Sequence, residues 1–108
     1  MPSESQSVWE ILVPRKYNDG RRVHLRHHCV WDAKVKLIAN GITILVPTVK
    51  GEWVSPDGET FIDSTIPVRI SCTQKQIEEI MDMTAKHYQQ KAVMAYEIST
   101  NVLVRSYE

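Results

Sequence analysis

The sequence predicts an α+β protein, a ferredoxin-like β-α-β-β-α-β sandwich in which two helices cover one face of an antiparallel sheet. Two stretches with helical spacing of apolar residues, 26–39 and 74–90, lie among stretches in which apolar and polar residues alternate as in half-buried strands. Between the helical stretches, a run punctuated by glycine from Asn40 to Gly58 predicts a helix end, a strand, a hairpin and another strand. This order is that of a split β-α-β arrangement.

The first strand is predicted over residues 7–14. Trp9, Ile11 and Val13 share one face, and Pro14 ends the run because its ring removes a strand hydrogen bond. The polar segment 18–20, Asn-Asp-Gly, then predicts a turn.

The first helix is predicted over residues 26–39, because its apolar residues fall on one stripe. The members of this stripe are His27, Trp31, Val35 and Ile38. Asn40-Gly41 supplies a left-handed C-cap, whereas the start shows no strong capping residue.

Alternation predicts a second strand over residues 42–46, and the turn at 55–58 folds it into a hairpin after Gly51-Glu52-Trp53-Val54. The clearest half-buried strand is predicted at 66–72. Its Pro67 lacks an amide donor, so we expect it to face an edge or a bulge.

The second helix has the strongest start signal, a capping box with Thr73 as N-cap and Gln76 at the third helical position. We expect this helix to run to about Gln90. A strand over 92–99 follows, with Ala92, Met94, Tyr96 and Ile98 on one face, and residues 102–104 predict a possible extra C-terminal strand.

Helices on one side leave the other face of the sheet uncovered. Candidates for that face are Leu12, Leu45, Trp53 and Val93. Small folds of this shape often cover it with a second subunit, so we expect a homodimer formed through the open sheet face.

The 108 residues fit a single domain, 1–108, and residues 1–6 are expected to form a flexible N-terminal tail. No apolar run reaches the roughly 20 residues of a membrane span, and the start lacks the pattern of a signal peptide. We therefore expect no membrane partner and a cytoplasmic protein. Cys29 and Cys72 are expected to be buried free thiols, since their spacing suits no metal site.

The formal net charge of +0 conceals an asymmetry. Residues 1–50 carry eight Lys and Arg against four Asp and Glu, and residues 51–108 carry five against nine. The balanced total argues against general nucleic-acid binding, which depends on many cations. A local cationic loop can still attract one small anion.

Several short motifs, in order, resemble a family of uncharacterised small bacterial proteins whose members carry Gly-Leu-Thr, Gly-Gln-Trp and a late Tyr with Gln. In this chain they are Gly41-Ile42-Thr43, Gly51-x-Trp53, Gly58, Tyr88-x-Gln90 and Ala92-Val93. The resemblance covers about residues 27–98 and departs from the family pattern at Ile42, Glu52 and Asp63. It implies a ferredoxin-like fold, and it implies no activity. It singles out Trp53, Tyr88 and Gln90.

Three histidines, His24, His27 and His28, lie at the start of the first helix. His24 and His28 are four residues apart and could share a helix face as metal ligands, but Asp32 is the closest carboxylate and completes no site. Neutral histidines are also ordinary at a helix N-terminus, which disfavours positive charge. We therefore predict no metal and no cofactor.

The loop between the first strand and the first helix is the predicted ligand site. Beside Lys16 its cations are Arg15, Arg21, Arg22 and Arg26, whose forked guanidinium groups suit a phosphate or carboxylate. Trp53, Tyr88 and Gln90 are the candidates for the remaining wall. A solvated loop that binds nothing is the alternative interpretation of the same cations.

Trp9 and Trp31 are expected in the core. For Trp53 two alternatives stay open, namely packing in the core and a role in a pocket or interface. Helical spacing makes Tyr88 a core residue more readily than a catalytic one, whereas His87 is expected in solvent.

These observations favour a non-enzymatic, homo-oligomeric binding module for a small anion, since the sequence carries no recognisable catalytic motif. A protein–protein inhibitor or accessory factor of a phage or mobile element is the first alternative. The second is a small lyase or isomerase that uses His87 or Tyr88 as acid or base.

Overall fold

The computed structural model describes residues 6–39, 43–44, 49–54 and 60–100. These residues form seven elements. In chain order they are β1 (Ser7–Pro14), α1 (Leu25–Ile38), β2 (Thr43–Ile44), β3 (Val49–Val54), β4 (Thr60–Cys72), α2 (Gln74–His87) and β5 (Ala95–Ser99). All strand pairs are antiparallel, and the element order confirms the predicted α+β class.

The strands are ordered β2-β4-β1-β5 across the sheet, with β3 also paired to β4. β1 and β4 form the centre, in a register that runs from Ser7 opposite Cys72 to Pro14 opposite Thr65. Each helix therefore joins two strands that have a third strand between them. This is the split β-α-β connection that the sequence predicts.

Pro67 lies opposite Leu12 in the centre of the sheet. The amide of Leu12 donates to the main-chain oxygen of Met94, 3.1 Å away on the β5 side, so Leu12 and Pro67 form a pair without mutual hydrogen bonds. The nitrogen of Pro67 accordingly faces the side where β2 and β3 pair with β4 in different registers. The missing amide donor falls at this irregularity, as expected for proline in a strand.

Helix α1 begins one residue earlier than predicted, because His24 caps it. The Nδ1 atom of His24 accepts a hydrogen bond from the amide of Arg26 at 3.3 Å. Trp31 and Val35 are buried, which confirms the predicted inward stripe. The predicted C-cap at Asn40-Gly41 lies outside the described residues.

Helix α2 begins as predicted. Oγ1 of Thr73 accepts from the amide of Gln76 at 3.2 Å, and Oε1 of Gln76 accepts from the amide of Thr73 at 2.9 Å. The amide nitrogen of the Gln76 side chain also donates to the main-chain oxygen of Ile38 at 2.9 Å. The capping residue thus ties the start of α2 to the end of α1.

The prediction that α2 runs to about Gln90 is wrong, because the helix ends at His87 in a Schellman motif. The amide of Gln90 bonds to the oxygen of Ala85 at 2.9 Å, and the amide of Gln89 bonds to that of Lys86 at 3.3 Å. Gln89 itself has φ 54°, the left-handed conformation that is usually occupied by glycine. The stop signal is absent from the sequence because glutamine occupies the glycine position.

Both helices pack on the same face of the sheet, and their buried residues join those of the strands in one core. Trp31 and Tyr88, which are 1% and 0% exposed, are its largest members. Their core positions are confirmed. The remaining buried apolar residues are Ile11, Val13, Val23, Val35, Ala39, Val68, Ile70, Cys72, Ile77 and Ile80. Trp9 is half-buried against them, and its Nε1 donates to the oxygen of Cys72 at 3.2 Å.

The opposite face carries the other residues of β1 and β5. Glu10 lies opposite Tyr96 across these strands, and the side chains of Met94, Tyr96 and Ile98 are 59%, 42% and 40% exposed. The prediction that Val93 lies on this open face is wrong, because Val93 packs against the core. Glu10 is buried by its neighbours on this face and accepts from Nε of Arg69 at 3.2 Å.

Other predictions differ in their limits. The last strand begins at Ala95 rather than at residue 92, and the strand that precedes α2 extends back to Thr60. The expectation of two buried thiols is half wrong, because Cys29 is exposed and Cys72 is buried. Leu45, the possible strand at 102–104 and residues 1–5 of the predicted tail lie outside the described residues, as does the side chain of Trp53.

Candidate functional site

A tight hairpin carries the predicted cationic loop from β1 into α1. Lys16 pairs with Arg22 across it, and the amide of Tyr17 donates to the oxygen of Arg21 at 2.8 Å. Gly20 turns the chain with φ 90°, a conformation that residues with a side chain rarely adopt. The predicted turn is confirmed, and its cations are presented from an ordered loop.

The side chain of Arg21 already has its partners within this hairpin. Its Nε donates to the carboxylate of Asp19 at 2.6 Å, and its guanidinium carbon lies 5.0 Å from the centre of the Tyr17 ring. The hydrogen bonds from Arg21 lower the pKa of Asp19. Because Asp19 is the only carboxylate in the segment, no other cation of the hairpin has a carboxylate partner among the described residues.

Arg15 differs from the other cations because part of it is buried. Its Nε atom is shielded from solvent and has no hydrogen-bond partner among the described residues. Arg15 lies close enough to His28 for its charge to lower the pKa of that histidine. A buried guanidinium nitrogen without a partner is unfavourable, and an anion would reach it only if the surrounding side chains moved.

A shallow depression of about 460 Å³ opens beside the hairpin at the start of α1. The residues that line it are Tyr17, His24, Arg26, His27 and Val30. Arg26 is exposed and forms no ion pair in the described part of the chain. Of the four predicted arginines only Arg26 lines this depression, although Arg21 reaches its edge through the ring of Tyr17.

His27, at the edge of this depression, stacks on His87 at the end of α2. The ring centres are 3.7 Å apart and the planes differ by 8°. Nε2 of His27 lies 2.6 Å from the main-chain oxygen of His87, and Nε2 of His87 lies 2.7 Å from that of His27. The expectation that His87 is solvated is wrong, because this pairing leaves it only 9% exposed.

On the other side of the stack, a second depression of about 410 Å³ lies between the helices. It is lined by Lys34, Asp82, Met83, Lys86 and His87. Nζ of Lys34 lies 3.3 Å from Nδ1 of His87, so this nitrogen accepts a hydrogen bond. Burial is the main cause that lowers the pKa of His87. The hydrogen bond to the main-chain oxygen of His27 raises the pKa, whereas the charges of His27 and Lys34 lower it.

His28 contacts Tyr88 beneath the stack. Nδ1 of His28 lies 2.7 Å from the hydroxyl of Tyr88. Burial lowers the pKa of His28 and raises those of Tyr88 and Asp32. Tyr88 is wholly enclosed, so its hydroxyl lines neither depression and is poorly placed to act as an acid or base.

The remaining predicted site residues are dispersed. Arg22 is exposed on the hairpin, and Gln90 is half-buried with its side-chain amide on the oxygen of Tyr88 at 3.0 Å. The sequence pattern does not indicate Tyr17 and Lys34 as site residues. Their only signal is proximity in the chain to the cationic loop and to the histidines, since their contacts arise from packing of α1 against α2 and the hairpin.

The metal candidates His24, His27 and His28 have separate partners. His24 caps α1, His27 faces His87 and His28 faces Tyr88. Within the part of the chain that the structure describes, no group of three or more His, Cys, Asp or Glu residues is arranged to hold a metal ion. The two described helices are also too short to cross a membrane.

Comparison with known proteins supports the fold. No protein-family model and no curated protein matches the sequence. The family resemblance therefore stays a prediction beyond its ferredoxin-like fold.

Several solved structures match over most of their length. CutA1 from Oryza sativa has a TM-score of 0.62 at 11% identity and covers 93% of this chain and 84% of its own. The periplasmic divalent cation tolerance protein CutA from Archaeoglobus fulgidus has 0.61 at 11%, covering 93% and 88%. The divalent cation tolerance protein Cut A1 from Thermus thermophilus has 0.57 at 16%, covering 90% and 87%. The chain thus has the fold of CutA proteins.

Proposed function

We propose that the protein is a non-enzymatic, self-associating module that binds a small anion beside the start of α1. The observation that carries the proposal is the cationic loop, whose single carboxylate is already engaged by Arg21. Arg26 lines the adjoining depression and has no ion-pair partner among the described residues. Arg15 does not line it, and its positive charge lies nearby in the same loop. Guanidinium groups bind carboxylates and phosphates through paired hydrogen bonds.

The anion is proposed in place of the divalent cation named in two of the similar structures. At 11% and 16% identity those structures share the fold alone with this chain. The described histidines offer few ligand atoms, because the Nε2 atoms of His27 and His87 face carbonyl oxygens. Nδ1 of His87 faces Lys34, a cation that a metal would have to displace.

Titration with inorganic phosphate and with citrate, followed by the thermal unfolding midpoint and by calorimetry, tests the site. A ligand at a hundred times its dissociation constant stabilises the folded state by about 2.7 kcal/mol, which raises the midpoint by roughly 10 °C. We expect Arg26→Ala to weaken binding and Lys75→Ala, an exposed cation on α2, to leave it unchanged.

Three results would contradict the anion site. One is the absence of any response to either anion. Another is equal binding by the Arg26→Ala and Lys75→Ala variants, which would mean unspecific attraction. The third is a response to Zn²⁺ or Cu²⁺ with none to phosphate, which would assign the site to a cation.

Self-association through the open sheet face rests on the exposed row of Met94, Tyr96 and Ile98. In the described part of the sheet, β5 is also an outermost strand, so both its face and its edge are open to a partner. Contiguous exposed apolar side chains of this kind mark interaction surfaces. The mass in solution distinguishes the predicted homodimer from a larger oligomer.

Sedimentation equilibrium tests this face. Replacing Tyr96 and Ile98 by Ser should reduce the mass to that of a monomer while the far-ultraviolet circular dichroism is retained. Leu37→Ser, which removes an exposed apolar side chain from α1, is the matched control. A monomeric wild-type protein, or an oligomer that survives the double substitution, would contradict the proposed interface.

The location in a cell stays a prediction. The sequence favours the cytoplasm, whereas one of the similar structures is described as periplasmic. The phage or mobile-element alternative has no support in the comparisons.

A further inference from the structure

Helix α1 is apolar on two opposite faces. Its inner face buries Trp31 and Val35, as a core helix requires. Its outer face exposes Leu25 at 74% and Leu37 at 88%, and Val30 is 43% exposed beside them. Exposing two leucines on one helix is unfavourable in water, since removing their apolar surface from solvent would stabilise whatever state covers them.

The outer face of α2 offers a direct comparison. It carries only polar and charged exposed residues, namely Gln74, Lys75, Glu78, Glu79, Asp82 and Lys86. The two helices cover the same sheet face and have equal lengths of 14 residues. The exposed leucines are therefore particular to α1.

Four of the exposed residues of α1 with apolar or small side chains are regularly spaced. Leu25, Cys29, Ala33 and Leu37 follow one another at intervals of four, and all four are exposed. Successive members are rotated by about 40° around the helix, so the set forms one oblique outward strip about 18 Å long that winds through about 120° from Leu25 to Leu37. Leucines occupy its ends and small side chains its middle, which allows a second helix to approach to about 8 Å.

The charges beside this strip are positive. Arg26, Lys34 and Lys36 are exposed on the same helix. The one carboxylate of α1, Asp32, is half-buried and interacts electrostatically with Lys36 and His28. The strip is thus an apolar surface within a cationic surround, which favours a partner whose apolar face is bordered by acidic residues.

A second copy of this chain is a poor occupant. If two α1 helices packed antiparallel with Leu25 against Leu37, Arg26 of each would face Lys36 of the other, and like charges across an interface are unfavourable. The outer face of α2 has no exposed large apolar side chain to offer instead. The helices of a second copy are therefore poor occupants, and a helix of different sequence with acidic borders complements the strip better.

We infer that the outer face of α1 is a docking surface for an amphipathic helix of another protein whose apolar side is bordered by glutamate or aspartate. This helix would lay its apolar side chains on the strip from Leu25 to Leu37, as in other helix-in-groove complexes. The surface borders the proposed anion site, with which it shares Arg26, and it is separate from the open sheet face. Its apolar strip depends on neither of those proposals.

Two synthetic helical peptides of about 18 residues, long enough to span the strip, test the inference. Both carry leucine at helical a and d positions, one with glutamate and the other with lysine at the flanking positions. Fluorescence anisotropy should show saturable binding of the acidic peptide, weakened by added salt, and at least tenfold weaker binding of the basic one. Leu37→Ser should weaken binding of the acidic peptide at least tenfold, whereas Gln74→Ser, at an exposed position on α2, should leave it unchanged.

The charge contribution has its own matched pair. Lys36→Gln should weaken binding of the acidic peptide several-fold and reduce the salt dependence of that binding, whereas Lys75→Gln on α2 should change neither. The thiol of Cys29 reports occupancy directly, because it is exposed at the middle of the strip while Cys72 is buried. Bound peptide should slow its reaction with a maleimide.

Three outcomes would overturn the inference. Equal binding of the acidic and basic peptides would show an unspecific apolar surface. Unchanged binding after Leu37→Ser would place the peptide elsewhere. A fall in the solution mass of the protein on Leu37→Ser would show that a second copy of this chain occupies the strip.

Discussion

His27 and His87 each donate a ring hydrogen to the main-chain oxygen of the other residue, while their rings lie stacked 3.7 Å apart. Because a carbonyl oxygen can only accept, both Nε2 atoms carry hydrogen. Nδ1 of His87 accepts from Lys34, so this ring is the neutral Nε2–H tautomer. The bonds to the main-chain oxygens thus join the start of α1 to the end of α2, and the contact of Nδ1 with Lys34 is the one that requires His87 to be uncharged.

The first prediction is that the protein loses stability as the pH falls below about 6.5. The pKa values of His28 and His87 are lowered in the folded state, chiefly by burial, whereas unfolded histidine titrates near 6.5. The unfolded chain therefore binds more protons in this range, and the free energy of unfolding decreases with falling pH. Urea unfolding between about pH 7.5 and pH 5, a range that spans the titration of unfolded histidine, measures this slope.

His87→Gln should flatten that slope, because glutamine keeps an N–H group at the donor position and does not titrate. His24→Asn is the control, since it removes an exposed histidine and keeps a side-chain acceptor at the N-cap. An equal slope in wild type and in His87→Gln would show that His87 does not contribute to the acid sensitivity.

The general fold could be predicted because its signals are local. The capping box of Thr73 and Gln76, the turn at Gly20 and the alternation along β1 each depend on residues that are close in sequence. The inward position of Trp31 also follows from helical spacing alone. These signals agree with one another, and their agreement fixes the order of elements.

The site could be predicted only in part, because its contacts join distant segments. Residue 27 and residue 87 meet through the packing of two helices, and neither neighbourhood contains a sign of the other. The polarity of His87 suggested solvent, yet reciprocal bonds to main-chain oxygens satisfy it inside. Arg15 belongs to the predicted cationic loop, but the burial of its Nε is a property of the tertiary structure.

The second prediction is that Gln89→Gly stabilises the protein by up to about 1 kcal/mol. Gln89 occupies the left-handed position of the Schellman motif with φ 54°, which costs a residue with a Cβ about 1–2 kcal/mol. Glycine removes this strain, although the greater freedom of the unfolded chain offsets part of the gain. Urea unfolding at neutral pH provides the measurement, and a decrease in stability would contradict the assignment of strain.

The third prediction is that Thr84→Val destabilises the protein by about 1–3 kcal/mol. Nε1 of Trp31 donates to Oγ1 of Thr84 at 2.9 Å, and this hydroxyl donates to the oxygen of Ile80 at 2.6 Å. Valine has a similar shape but leaves the buried indole N–H without a partner. A double-mutant cycle with Trp31→Phe isolates the pair, and we expect Thr84→Val to cost less when Trp31 is already Phe. Full additivity would show that the hydrogen bond contributes nothing.

The last prediction separates the binding module from the acid–base alternative. Tyr88→Phe should lower the free energy of unfolding by about 1–3 kcal/mol, because it leaves Nδ1 of His28 without its partner. It should leave phosphate affinity unchanged, since the hydroxyl is wholly enclosed and its pKa is raised by burial, so it can neither reach the depression nor ionise readily. Calorimetric titration of Tyr88→Phe and Arg26→Ala side by side makes the comparison. Loss of phosphate binding in Tyr88→Phe at unchanged stability would assign this hydroxyl to a ligand and revive a chemical role for it.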